Sequence, residues 1–166
     1  HLALERHLEL SLASEMIRKA MAKIRADQQS PLIAKAGQYF ATMTLGEFRA
    51  VDADVDDNGN PVVVGCRAND ERVMVDQMSD GTRDQLFLAF RLASIENYAA
   101  AAEPLPFIAD DILVHFDDAR SAATLEILAE VGQQQQILLF THHQAVRDMA
   151  APLAASGRPV TPSGRP

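Results

Sequence analysis

Apolar residues recur at helical spacing in the N-terminal part of the chain. Residues 1–29 contain neither Pro nor Gly and are mostly good helix formers, which predicts one long helix. Four apolar residues of this stretch lie at heptad spacing: Ala3, Leu10, Ile17 and Ile24. The helix is therefore either the end of a coiled coil or one arm of a helical hairpin packed on the body. Ser30 and Pro31 are typical N-cap and first-turn residues, and they predict a second helix that ends near Thr42.

The pattern changes to that of β-strands between residues 45 and 75. Three apolar residues precede the polar sequence DDNGN: Phe48, Val51 and Val55. Three consecutive valines follow it, so the segment predicts a β-hairpin, with a further short strand over 72–75. The polar sequence also has the spacing with which a calcium-binding loop begins. The twelfth position is Gly65 rather than a bidentate Glu, and we therefore interpret this loop as a turn.

The rest of the chain alternates between helical and strand patterns. The sequence MSDGTRDQLFLAFRLASIENYAA predicts a buried helix, and the capping-box pair Thr82 and Gln85 places its start just after Gly81. The short apolar runs LPFIAD and QILLF predict two buried strands. Between them we expect a helix that ends near Val131 and takes one aspartate of the pair 117–118 as its N-cap. The sequence THHQAVRDMA then predicts a turn into a last helix.

This order of strand, helix, strand and helix predicts an α/β fold. We expect a parallel sheet core covered by helices, preceded by an antiparallel β element and a helical arm. The chain is accordingly divided into an arm (1–42), a lobe (43–151) and a tail (152–166). The tail is rich in Pro, Gly and Ser, and we expect it to lack regular structure.

Composition and charge narrow the choice of function. The chain has 166 residues and a single cysteine, Cys66, which fits one domain in a reducing, cytoplasmic setting. No apolar stretch is long enough to span a bilayer, so we expect no membrane partner. A net charge of −8 argues against a generally basic nucleic-acid-binding surface, although residues 1–35 are slightly basic. The first residue is His rather than Met, from which we expect an excised piece of a longer protein.

The sequence LPFIADDILVHFDDAR places Asp110 and Asp111 directly after an apolar strand. Burying a carboxylate without a partner costs several kcal/mol, so a positive group should meet these two residues. A lysine, an arginine or a helix N-terminus would satisfy them structurally. A metal ion together with a phosphate would satisfy them functionally.

Two other segments place polar residues where they would join this acidic pair. In MSDGT, Ser79 and Gly81 lie at a helix N-terminus, where free N–H groups and the helix dipole favour a phosphate. In QILLFTHH, a second strand is followed by Thr141, His142 and His143. Open α/β sheets bind their ligands at the carboxyl ends of the strands, and we expect both strand ends to lie at one edge.

These motifs, in this order, resemble the C-terminal lobe of the ABC-type ATPases of the SMC and double-strand-break-repair class, in particular the YhaN-type AAA proteins of bacteria. MSDGTRDQLFLAFRLA is similar to their signature motif, LPFIADD to their Walker B strand, VHFDD to their D-loop and QILLFTHH to their switch-histidine strand. The resemblance covers residues 45–149. It implies a P-loop NTPase-like lobe that works with ATP and Mg²⁺ in an ATP-hydrolysing enzyme.

The resemblance also implies roles for individual residues around Mg-ATP. Asp110 would hold the Mg²⁺ through water, Asp111 would orient or deprotonate the attacking water, and His142 would donate to the γ-phosphate. Asp111 stands where the wider class usually has Glu, and its side chain is one methylene shorter. DNA is implied as a partner by resemblance alone, through a role in DNA repair or chromosome maintenance.

A homodimer formed through the nucleotide is the second implication. Ser79, Gly81 and Thr82 would contact the γ-phosphate of an ATP held by a second copy, and Asp117 would act across the same interface. Asp80 adds negative charge beside this phosphate site, which a salt bridge to the neighbouring arginine at position 83 would offset.

The phosphate-binding sequence G-x-x-x-x-G-K-[ST] does not occur in the chain. In the class that the chain resembles, that loop lies in an N-terminal lobe, which a long coiled coil separates from the C-terminal one. We therefore expect the N-terminal lobe of the same protein as a partner, the helix 1–29 as the returning strand of the coiled coil, and no ATPase activity from this piece alone.

Three alternatives accompany this interpretation. Zinc binding is disfavoured, because His142 and His143 would point apart on a helix and no cysteine lies near them in sequence. A Mg²⁺-dependent nuclease would need the acidic pairs 110–111 and 117–118 to meet the aspartates of the hairpin. A non-enzymatic interaction module would instead use the acidic strand end to bind the basic surface of another protein.

Overall fold

The computed structural model describes residues 31–56 and 60–155. The predicted arm over 1–29, the centre of the hairpin turn and the tail beyond residue 155 lie outside the described residues. Within the described part, no helix is both long enough and apolar enough to cross a membrane.

An antiparallel sheet confirms the predicted hairpin and third strand. Strands β1 (Phe48–Val55), β2 (Pro61–Arg67) and β3 (Arg72–Met74) lie in the order β1-β2-β3, with Val51 opposite Gly65. A bulge follows Phe48, and its ring is 99% buried, with a centroid 4.9 Å from that of Phe40. The aromatic pair joins the sheet to the preceding helix.

Helix α1 (Pro31–Met43) begins and ends close to the predicted positions. Its buried face consists of five residues: Ala36, Gly37, Tyr39, Phe40 and Met43. This face packs on β1 and on the long helix α2 (Asp80–Ala99), within one compact unit that begins at Pro31. This segment was expected in the arm (1–42), but the helix packs in the core of the lobe.

Helix α2 begins earlier than its capping-box pattern predicted. Ser79 is the N-cap, and its hydroxyl accepts a hydrogen bond from the backbone N–H of Thr82. Gln85 does not take part in a capping box, because its side chain is fully buried and its amide donates to the carbonyl of Met43 at 2.9 Å. The predicted start after Gly81 was wrong because serine, a strong N-cap residue, stands three positions earlier.

Strands β4 (Phe107–Asp110) and β5 (Ile137–Phe140) pair in parallel, with Ile108 opposite Leu138 and Asp110 opposite Phe140. The helix α3 (Asp118–Val131) connects them, and α4 (Gln144–Ala155) follows β5. α4 thus includes the first four residues of the segment assigned to the tail.

The parallel strands are less buried than predicted. Ala109 is 99% buried, but Ile108 is 64% exposed and Phe140 is 52% exposed. Because side chains alternate along a strand, the exposed residues share one face of this two-stranded sheet, and the other face packs on the core. The described residues thus form a mixed α/β fold with a small antiparallel and a small parallel sheet, the latter covered on one side only.

Candidate active site

The two adjacent aspartates at the end of β4 have different backbone conformations. Asp110 is the last residue of the strand and lies opposite Phe140 of β5. Asp111 has a φ of 52°, and its N–H donates to the carbonyl of Phe140 at 2.8 Å. Aspartate is one of the few residue types found with any frequency in this left-handed region. The chain therefore turns away from the strand direction at Asp111 while remaining attached to the end of β5.

Asp111 meets the residues that follow β5. Its Oδ2 contacts Nδ1 of His142, and its Oδ1 accepts a hydrogen bond from the Thr141 hydroxyl at 3.1 Å. The structure thus brings together Asp111 and His142, as expected for neighbouring parallel strand ends. Imidazole and hydroxyl groups, rather than a lysine, are the side-chain partners of this carboxylate within the described part of the chain.

His143 also faces this carboxylate, contrary to the expectation from the sequence. The rings of His142 and His143 lie 4.0 Å apart between centroids and are tilted by 37°, and Nε2 of His143 is 4.0 Å from Oδ1 of Asp111. The expectation that the two rings point apart was wrong because both residues precede α4, which begins at Gln144. The Thr141 hydroxyl accepts a hydrogen bond from the His143 N–H at 3.1 Å and fixes this connection.

Asp110 has a different environment. Its side chain is exposed, on the same face of β4 as Ile108, and it makes no hydrogen bond or ion pair with any other described residue. An exposed carboxylate of this kind can take part in binding a hydrated cation without first losing a protein partner.

At the start of α2, Ser79 is exposed and Thr82 is only 5% exposed. Their hydroxyl oxygens lie 2.8 Å apart, so a hydrogen bond with the buried Thr82 side chain orients the Ser79 hydroxyl. Asp80 forms the predicted salt bridge with Arg83 at 2.9 Å. The first N–H groups of a helix have no carbonyl partner within it. Here the Ser79 hydroxyl caps that of Thr82, and those of Asp80 and Gly81 make no hydrogen bond with another described residue.

The segment 111–117 packs against this helix start. A Cβ atom at Gly81 would lie 2.5 Å from the backbone oxygen of His115, so only glycine fits at this contact. The ring of His115 is itself paired with Asp84, with 2.6 Å between Nδ1 and Oδ2. Neither His115 nor Asp84 was singled out in the sequence, although His115 lies within the VHFDD sequence. This close contact couples the strand end to the start of α2.

Asp117 caps α3, as one of the two sequence alternatives predicted. Its Oδ1 accepts a hydrogen bond from the Arg120 N–H at 2.8 Å. The Arg120 guanidinium lies 3.4 Å from the other Asp117 oxygen, donates to Glu47 at 2.8 Å and reaches Gln85 at 3.4 Å. Arg120 therefore connects the α3 cap, α2 and the turn before β1. No local sequence pattern indicated this role of Arg120, because Gln85 and Glu47 are distant from it along the chain.

The geometry does not support the nuclease alternative. Asp52 and Asp54 of the hairpin are paired with Arg72 at 3.2 and 2.7 Å. Among the described residues, one group of three or more acidic, histidine or cysteine side chains is close enough to share a metal ion, and it consists of Asp111, His142 and His143. The hairpin aspartates do not belong to it.

Comparison with known proteins identifies relatives of the chain. No protein-family model matches it. It is 27% identical over 141 residues to the uncharacterised protein YhaN of Bacillus subtilis, an alignment that covers 84% of this chain and 14% of YhaN. The chain thus corresponds to a small part of that relative.

Solved structures of SMC heads share the fold. The Smc head domain of Pyrococcus furiosus, with an extended coiled coil and bound to the C-terminal domain of ScpA, superposes with a TM-score of 0.57 and 19% identity. That match covers 86% of this chain and 37% of the Smc chain. A structure from work on ATP-driven dimerisation and DNA-stimulated activation of SMC ATPases matches with a TM-score of 0.53 and 17% identity, over 70% of this chain and 72% of its own. The chain has the fold of part of an SMC head domain. Over most of its own 166 residues it is also a distant homologue of a small part of YhaN.

Proposed function

We propose that this chain is the C-terminal half of an ATP-hydrolysing head that dimerises around Mg-ATP. The observation that carries the proposal is the meeting of Asp111 and His142 at the carboxyl ends of two parallel strands, with Asp110 exposed beside them. Ligands of open α/β sheets bind at this edge. The likeness to SMC heads supports the same interpretation.

Each residue of the edge receives one role. Bound Mg²⁺ would neutralise phosphate charge, and Asp110 has the exposed carboxylate that a hydrated hard cation needs. Asp111 orients or deprotonates the attacking water, held in place by the Thr141 hydroxyl. His142 donates to the γ-phosphate. Phosphoryl transfer depends mainly on such positioning and charge neutralisation.

The phosphate-binding loop must come from elsewhere, and we assign it to an N-terminal lobe of the same protein. The exposed face of the parallel sheet suits such a partner, because Ile108, Leu138 and Phe140 are 64%, 38% and 52% exposed on it. Asp110 lies at the end of this face. A lobe packed here would bring its nucleotide to the acidic strand end.

Dimerisation involves the start of α2. Ser79 and the N–H groups near Gly81 contact the γ-phosphate of an ATP held by the second copy, and Thr82 acts by holding the Ser79 hydroxyl. Asp117 has a side chain that is 62% exposed in spite of its capping role, so it remains available across the interface. A role on DNA rests on the SMC resemblance alone, since the net charge of −8 does not favour it.

The test uses the full-length protein that contains this chain together with its phosphate-binding loop. Asp111→Asn should lower kcat by about 10²- to 10⁴-fold, since it removes the base but preserves the size of the side chain. The matched control is Asp118→Asn, which removes an exposed carboxylate in the first turn of α3 and should leave kcat within about twofold of wild type. Full activity of Asp111→Asn would refute the assigned role.

Dimerisation is tested by light scattering with ATP and without nucleotide. Ser79→Asp retains a good N-cap residue but places a negative charge toward the phosphate, so the ATP-dependent dimer should be lost while the helix remains stable. Ser79→Asn caps equally well without the charge and should retain more of the dimer. Association that is independent of nucleotide would instead support the interaction-module alternative.

A further inference from the structure

We propose that Asp111, His142 and His143 form a binding site for a divalent transition metal of the Zn²⁺ type, separate from the proposed Mg²⁺ position at Asp110. One donor atom from each of the three side chains lies within 4.8 Å of one in each of the others. The proposal does not depend on nucleotide binding. Only its consequence for hydrolysis, given below, rests on the proposed function.

The position of His143 is the observation that a simple ion pair does not explain. His142 alone satisfies Oδ2 of Asp111, whereas Nε2 of His143 is 4.0 Å from Oδ1, too far for a hydrogen bond. Even so, the His143 ring is held over the His142 ring at 4.0 Å between centroids. Two imidazoles turned toward one carboxylate form the ligand set of many zinc and related sites.

The distances suit a metal ion after a small adjustment. Zinc binds nitrogen and carboxylate oxygen at about 2.0–2.2 Å, so donors on one tetrahedral ion lie roughly 3.3–3.6 Å apart. The 4.0 Å separation between Nε2 of His143 and Oδ1 of Asp111 needs to shorten by about 0.5 Å, and His142, which directly contacts Oδ2 of Asp111, must move back to admit the ion. His142 has a side chain that is 73% exposed, so solvent leaves room for this movement.

The surrounding hydrogen bonds hold the ligands in place. The Thr141 hydroxyl donates to Oδ1 of Asp111 and accepts from the His143 N–H, both at 3.1 Å. Ligands of protein metal sites are commonly held by such outer contacts. Three protein ligands on an exposed edge leave a fourth position for water, which is the arrangement of an accessible site.

The donor set selects against Mg²⁺. Imidazole nitrogens suit Zn²⁺, Co²⁺ and Ni²⁺, whereas Mg²⁺ prefers an octahedron of oxygen ligands. A transition metal held here would engage Asp111 and His142 at once. Under the proposed function, its binding and ATP hydrolysis would therefore exclude each other.

The experiment measures Zn²⁺ binding to the 166-residue chain by calorimetry, and Co²⁺ binding by its visible absorption, with millimolar Mg²⁺ present. The chain contains five histidines, of which His1, His7 and His115 lie outside the proposed site. A variant with these three replaced by Ala should still bind one Zn²⁺ with wild-type affinity. Loss of binding in that variant would overturn the proposal.

His143→Ala should weaken Zn²⁺ binding by at least about tenfold, because loss of a direct ligand should cost no less than loss of an outer contact. Its exposed side chain makes the substitution tolerable, and an unchanged melting temperature without metal will show that the variant is folded. Thr141→Val should weaken binding by about tenfold through the outer contacts. No Zn²⁺ binding by the wild type, equal binding by His143→Ala or displacement by Mg²⁺ would each overturn the site.

These results are independent of hydrolysis, so they stand apart from failure of the proposed ATPase function. In a full-length protein that hydrolyses ATP, Zn²⁺ should inhibit, and a chelator should restore the rate. Binding without inhibition would remove the proposed exclusion but leave the metal site intact.

Discussion

Gly81→Ala is the substitution for which the structure gives the clearest energetic prediction. The added Cβ would lie 2.5 Å from the backbone oxygen of His115, whereas ordinary contact begins at 3.4 Å. The start of α2 and the segment 111–117 must therefore separate by about 0.9 Å, and overpacking of this kind costs about 1–3 kcal/mol. The higher helix propensity of alanine returns at most about 1 kcal/mol. Because the clashing atom belongs to the backbone, the cost lies in the upper part of that range, and we expect a net loss of about 1–2 kcal/mol in the free energy of unfolding.

Urea unfolding followed by circular dichroism measures this loss as a lower midpoint with an unchanged slope. The matched control is Gly132→Ala, at the C-cap of α3, where φ is −63° and the nearest atom to an added Cβ is 3.0 Å away. Alanine suits that φ, which favours it by about 0.4–1 kcal/mol, but the 3.0 Å contact with the Leu128 backbone oxygen must lengthen by about 0.4 Å and offsets part of this gain. We therefore expect a clearly smaller change than at Gly81. If Gly81→Ala is as stable as the wild type, α2 and the segment 111–117 do not pack as described. The proposed phosphate contact would then be the remaining explanation for glycine at position 81.

Three further predictions concern the elements that position the site. Asp117→Ala should lower the free energy of unfolding by about 0.5–2 kcal/mol, because α3 loses its N-cap. Asp118→Ala should lower it by less, and equal losses in urea unfolding would contradict the capping role of Asp117. Gln85→Leu should destabilise by about 1–3 kcal/mol because the buried carbonyl of Met43 loses its donor, and an unchanged urea midpoint would refute this. Burial raises the pKa of Cys66, so the folded state keeps the thiol proton at a pH where the unfolded state has lost it. Unfolding free energy should therefore fall as pH rises past the ordinary thiol pKa, and Cys66→Ala should lose that part of the fall in a series of urea titrations.

The sequence predicted the elements well where local chemistry decides them. The hairpin, the first described helix and the cap at Asp117 each follow from residues a few positions apart. The start of α2 was missed, because two overlapping capping patterns competed and the earlier serine prevailed. Burial of the parallel strands was also overestimated. An apolar strand favours burial of both its faces, but the segment that buries a face need not belong to the described residues. Ile108 and Phe140 are apolar and yet exposed.

The site was predictable in outline and not in its contacts. Strand order alone brings the ends of β4 and β5 together, so the meeting of Asp111 and His142 followed from the parallel arrangement. The place of His143 depended on whether the connection after β5 was already helical, and local sequence did not decide this. Arg120 contacts Glu47, which is 73 positions away, and the local patterns of a single sequence carry no information on contacts over such a separation.

The adjacent aspartates illustrate how one dipeptide can provide two chemical environments. Strand alternation turns Asp110 toward the exposed face of the sheet, and the positive φ of Asp111 directs the next residue out of that alternation. Continued alternation would turn the Asp111 carboxylate toward the covered face of the sheet, whereas here Asp110 is solvated and Asp111 is held by Thr141 and His142. Each charge is therefore stabilised by different partners: water solvates the Asp110 carboxylate, and polar side chains hydrogen-bond the Asp111 carboxylate. The same separation allows a hydrated cation at the first and a water or transition metal at the second.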